Sequence, residues 1–238
     1  MSTISAEKTV GELVRERPSR ARVFEAFGID YCCGGKKPLS EACAKKGHDV
    51  DAVLESIKKV DSARPEGDDT DFTAMPLDTL AQHIVTTHHA YLARELPRLQ
   101  AMSAKVAKVH GDADARLVEL ASVVRTLTEE LSSHMLKEER VLFPVIQRMA
   151  QSEMLPAMPF GTLENPIRAM EAEHDTSGDA LQDIRRLTDA FTPPEWACNT
   201  YCTLLDGLSE LELDLHQHIH KENNILFPRA IEMEASRR

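Results

Sequence analysis

Residues 134–144 read HMLKEERVLFP, and residues 218–228 read HIHKENNILFP. His, Lys, Glu, Leu, Phe and Pro recur in register 84 residues apart, so the chain carries an internal repeat of a helical unit. Shifting by one residue more places His89, with Leu96 seven residues on, over His174, with Leu181 seven residues on. Each half of the repeat therefore supplies one lone His and one His-x-x-x-Glu. Two such halves predict two helical hairpins, and together a four-helix bundle.

Working outward, four segments of roughly 76–108, 113–150, 165–191 and 194–235 carry apolar residues at alternating three- and four-residue steps, the mark of helices facing a shared core. Pro76, Pro166 and Pro194 stand at segment starts, where a missing amide hydrogen costs nothing. In the second segment Leu120, Val124, Leu127 and Leu131 run into His134 and Glu138 and on to Val141. In the fourth, Leu204, Leu208, Leu211 and Leu215 run into His218, Glu222 and Ile225. Val85, His89, Leu92, Leu96 and Leu99 select His89 over His88, which points about 100° away. His174 falls on the line from Ile167 through Met170 and Leu181 to Ile184.

Four imidazoles and two carboxylates turned into an apolar interior are costly unless paired, by several kcal/mol for each buried ion or unsatisfied polar group. Metal coordination removes that cost. Residues four apart on a helix are neighbours, so each His-x-x-x-Glu presents nitrogen and oxygen to one centre, and a carboxylate can bridge two ions. Imidazole and carboxylate without thiolate suit iron or manganese better than a structural zinc site, and iron is taken as the metal. The predicted metal ligands are His89, His134, Glu138, His174, His218 and Glu222. Six groups leave positions open around two six-coordinate ions, to be filled by solvent or a small ligand.

Before the bundle, residues 1–60 carry short helical signals interrupted by Pro18, Gly34, Gly35 and Gly47, and predict a small helical domain. Residues 61–75 (DSARPEGDDTDFTAM) lack apolar periodicity and read as a linker, leaving 76–238 for the bundle. The fold class is all-α. The motif Asp30-Tyr31-Cys32-Cys33-Gly34-Gly35 predicts an exposed turn, with a reactive or iron-handling role for Cys32 and Cys33 weighed against a structural one. Cys43, Cys198 and Cys202 read as small buried apolar groups. His83, His88, His110, His216 and His220 fall off the stripes or near helix ends and read as solvated surface. Glu130 and Glu173 flank the ligands, with an imidazole-orienting role and a solvated face both open.

A net charge of −11 without any basic run argues against a nucleic-acid partner. No apolar stretch approaches the roughly 20 residues a membrane span needs, and the amino terminus lacks a signal core. Five cysteines, an odd number, do not form a secreted disulfide framework, so a cytoplasmic location is expected.

FGIDYCCGG, HHAYLARELP, ELSSHMLKEERVLFP, MEAEHDTSG and HIHKENNILFPRA together resemble the di-iron proteins that repair iron–sulfur clusters, across nearly the whole chain. The resemblance implies a hemerythrin-like bundle holding two iron ions with a bridging oxo or hydroxo group on the six residues named above, Glu138 and Glu222 bridging. It also implies repair of clusters damaged by nitrosative or oxidative stress, with damaged iron–sulfur proteins as partners and nitric oxide or dioxygen as small ligands. Iron donation is the leading reading, with nitric oxide reduction to nitrous oxide or gas sensing as rivals. Oxygen-carrying hemerythrins add a His one turn after the third-helix His, where this chain has Gly178, and end on an Asp one residue later than Glu222. Those departures favour the repair proteins over oxygen carriers. The oligomeric state, a homodimer among the options, is not set by the sequence.

Overall fold

A computed structural model describes residues 4–62 and 70–238, so residues 63–69 of the expected linker lie outside the described residues. Secondary structure among the described residues is helical, apart from one isolated bridge between Thr9 and Pro38. Two compact units emerge: residues 81–215, and residues 1–80 with 216–238.

The first of these is built on leucine. Helices α6 (Ala90–His110), α7 (Arg116–Lys137), α9 (Glu164–Leu187) and the part of α10 (Asn199–Lys221) up to Leu215 share one core. That core contains Leu92, Leu96, Leu99, Leu120, Leu127, Leu131, Leu181, Leu204, Leu208 and Leu215. These are the positions the stripes select, and α7 packs on both α6 and α9. The third helix stops at Leu187, and the fourth begins at Asn199 rather than near Pro194. Pro193-Pro194 explains the late start, because the residue before a proline is pushed away from helical geometry. The chain turns there instead, with the Ala197 N–H donating to the Pro194 carbonyl at 2.9 Å.

In the other unit, helices α1 (Val10–Glu16), α2 (Ala21–Ala26), α3 (Leu39–Lys46) and α4 (Val50–Ser62) enclose Leu13, Phe24, Tyr31, Leu39, Val53 and Ile57. Thr9 starts α1 by a capping box: its hydroxyl accepts from the Glu12 N–H, and the Glu12 carboxylate accepts from the Thr9 N–H. Buried Arg20 ties the start of α2 to the end of α4 through Asp61, with Nη2 to Oδ2 at 2.7 Å. The same unit contains the carboxyl-terminal stretch with His218 and Glu222, which ends in α11 (Phe227–Ala235).

Candidate metal centre

Three of the six predicted ligands sit in wide helical turns that a 3.6-residue period does not contain. His89 closes one at Val85–His89 between α5 (Leu77–Ile84) and α6. Glu138 opens another at Glu138–Leu142, between α7 and α8 (Phe143–Gln151), and Glu222 opens the third at Glu222–Leu226. In each, an N–H reaches the carbonyl five residues back: Ala90 to Val85, Phe143 to Glu138 and Phe227 to Glu222. Such turns add a residue to the helix and occur mostly where function needs a side chain re-aimed. In the two repeats the shared proline contributes, since Pro144 and Pro228 cannot donate to the carbonyl four residues earlier. At the second copy that freed carbonyl, of Asn224, accepts from Arg15 Nη1 at 3.4 Å.

The added residue corrects one expectation. Val141 is not on the buried stripe: it is 45% exposed, and Leu142 takes the inward place at 2%.

All six predicted ligands are buried. His89 Nε2 and His134 Nε2 each lie 3.3 Å from Glu138 Oε2. His174 Nε2 lies 3.0 Å from His134 Nε2, and His218 Nε2 lies 2.9 Å from Glu222 Oε1. Within residues 81–215 the donor atoms of His134, Glu138 and His174 lie within 4.8 Å of one another, and His89 shares the same Glu138 oxygen. In the other unit His218 and Glu222 form a donor pair of their own. Separations of 2.9–3.3 Å match the edges of an octahedron whose metal–ligand bonds are about 2.1–2.3 Å, lengths in the range of metal–imidazole and metal–carboxylate bonds. The donor types and these spacings fit cations held by imidazole and carboxylate.

Glu139 Oε1 accepts from His89 Nδ1 at 2.8 Å, and Glu173 Oε2 accepts from His134 Nδ1 at 2.8 Å. Those bonds place a proton on each Nδ1, which in a neutral ring turns an Nε2 lone pair toward the Glu138 oxygen. A cation between them converts that repulsion into two bonds. Burial pushes the Glu173 carboxyl up, but Lys137 and His134 outweigh it and hold the group below its usual value. Glu173 thus contacts an imidazole rather than solvent alone, and Glu139 makes an equivalent contact that the sequence did not signal. Glu130 and Glu173 border a cavity of about 380 Å³ that reaches His134.

His88 and His220, expected on the surface, are buried. His88 Nδ1 bonds Asp214 Oδ1 at 2.8 Å across the bundle. His220 Nδ1 lies 3.4 Å from the Tyr31 carbonyl, and burial lowers its pKa to about 4, so it is neutral. Neither partner is visible to a one-helix periodicity argument. Cys198 and Cys202 also depart from expectation, being exposed and half-buried rather than core groups, whereas Cys43 is buried as read.

The Cys-Cys-Gly-Gly turn is not exposed as expected: Cys32 is buried and Cys33 half-buried. Asp30 organises it, Oδ1 accepting from the Cys32 and Cys33 N–H groups at 3.0 Å and Oδ2 from Gly34 at 2.9 Å. The turn rests on the helix that carries His218 and Glu222. Asn224 Nδ2 donates to the Cys32 carbonyl at 3.1 Å, and a Cβ on Gly35 would collide with the Asn224 amide. Gly35 is required by that close approach. The Cys32 thiol, hydrogen-bonded to Cys33 and buried, is pushed well above its usual pKa. Asp30, Cys32 and Cys33 form a third set of donor atoms within 4.8 Å.

Residues 80–230 match the hemerythrin HHE cation binding domain family, and residues 6–61 match a domain of unknown function, DUF542. The iron–sulfur cluster repair protein YtfE of Musicola paradisiaca is 38% identical over 229 residues, covering 96% of this chain and 98% of that protein. The chain belongs to this family. Its relatives in Escherichia coli O81 and Escherichia fergusonii, which carry the same description, are 38% and 37% identical over 94% of the chain and 97% of their own lengths. The hemerythrin-like bundle implied by the family resemblance is thereby established, and its matched segment contains all six proposed ligands. Among the described residues no helix is long and apolar enough to cross a membrane.

Proposed function

We propose that this chain holds two iron ions and uses them to repair iron–sulfur clusters damaged by nitrosative or oxidative stress; the names of its relatives state iron–sulfur cluster repair for those proteins. The observation that carries the proposal is the convergence of His89, His134 and His174 on Glu138, matched in the second copy of the repeat by the buried His218–Glu222 pair. In this reading Glu138 and Glu222 bridge, His89 and His218 complete one ion's protein ligands, and His134 and His174 complete the other's. A bridging oxo or hydroxo group belongs to the same assignment. Iron bound there supplies redox and Lewis-acid chemistry and is also the cargo.

The ligand set supports release. Six protein groups around two ions leave open positions, and Gly178 withholds the extra imidazole that oxygen carriers use. Cys32 and Cys33, within the unit that carries His218 and Glu222, receive iron in transit, with Asp30 as a third donor. The Cys32 thiol keeps its proton until a cation replaces it, because burial and the Cys33 contact disfavour the free thiolate. Residues 1–60 then act as a transfer domain joined by 61–75 to the bundle of 76–238, in the cytoplasm where the client proteins are found.

The test is reactivation. Iron-loaded protein incubated anaerobically under reducing conditions with a nitric-oxide-damaged iron–sulfur hydro-lyase restores its activity; no recovery contradicts iron donation.

A further inference from the structure

We infer that Glu139 and Glu173 are positioning residues, each locking one imidazole of a different metal ion, Glu139 through His89 and Glu173 through His134. The inference rests on the ligand assignment proposed above. Both contacts have the same geometry, with carboxylate oxygen to Nδ1 at 2.8 Å and Nε2 to Glu138 Oε2 at 3.3 Å. A carboxylate only accepts, so the ring donates from Nδ1 and keeps its Nε2 lone pair for the ion.

The placement follows one rule twice. Glu139 is the chain neighbour of Glu138, and Glu173 is the chain neighbour of His174. Each reaches from its own helix to the histidine on the adjoining one. A residue that carries a ligand inward thus has beside it a carboxylate that fixes the next helix's ligand, so ring orientation is tied to backbone placement.

The two positions differ in what surrounds the carboxylate. The two contacts are equally exposed, 3% at the imidazole and 39% at the carboxylate in each, but Glu173 is also gripped by the Lys137 ammonium. A carboxylate shared with a lysine polarises its imidazole less than one that is not. Substitution of Glu139 therefore has the larger effect.

The experiment loads wild type, Glu139→Gln, Glu139→Leu, Glu173→Gln, Glu173→Leu and the double Leu variant with ferrous iron under anaerobic conditions. It then follows iron transfer to a ferrous chelator, with Mössbauer spectra before and after. Wild type holding two irons supports the ligand assignment; wild type holding fewer overturns that assignment, and with it this inference. With two irons in wild type, each Leu variant weakens a single iron by roughly 10–100-fold, the Gln variants less, and the double variant weakens both. Unchanged release in every variant, or loss of both irons from each single one, overturns the inference. Melting of the apo proteins separates the roles, because a purely structural Glu139 lowers apo stability as much as holo stability, and a positioning Glu139 lowers only the holo value.

Discussion

The two copies of the repeat present the same inner face and opposite outer faces. His134, Glu138 and Leu142 in the first copy, and His218, Glu222 and Leu226 in the second, are all buried. Outside, Leu136 is 47% exposed where its counterpart His220 is 5% exposed, and Val141 is 45% exposed where Ile225 is 3%. Arg140 faces solvent, whereas Asn224 lies beneath the Cys32–Cys33 turn. The centre dictates the residues that the copies share. The cover on one copy dictates the residues in which they differ.

The largest effect that tests this comparison is on the shared face. Glu138→Ala and Glu222→Ala each remove a carboxylate that the proposed assignment gives to both ions, so each abolishes binding of both irons, read by metal analysis of the purified protein. One variant retaining both ions breaks the equivalence of the copies.

Next come the equivalent positions 141 and 225. Ile225→Ala costs about 2–5 kcal/mol, whereas Val141→Ala stays within about 0.5 kcal/mol, both read by denaturant unfolding of the apo protein. Equal costs would mean that position 225 is not covered on the outer face of the second copy.

Asn224→Ala removes a buried partner of the Cys32 carbonyl and costs about 1–3 kcal/mol, with faster labelling of Cys32 by a thiol reagent. Arg140→Ala changes neither. Smallest in stability but specific in function is Cys32→Ser with Cys33→Ser, which leaves iron content intact and slows reactivation of a damaged cluster enzyme. Unchanged reactivation removes the thiols from the transfer route.

Much of this was legible in the sequence. The repeat located the four helices, and the leucine stripes chose His89 over His88 and aimed all six donors inward, because burial along a helix follows its period. The wide turns were not legible. Two of the three arise where proline denies a backbone bond beside a re-aimed carboxylate, which is why Val141 was misplaced and Leu142 overlooked. Nor were Glu139, or the burial of His88 and His220, since those depend on partners from distant segments, His89, Asp214 and Tyr31. A helical period reports which side of its own helix a residue is on and nothing about what covers that side.

The most direct measurement is metal content together with Mössbauer spectroscopy on protein expressed in iron-replete cells and purified without added metal. The assignment requires two irons per chain, giving the spectrum of a coupled pair with nitrogen and oxygen ligands. A single zinc per chain, with no iron signal, contradicts it.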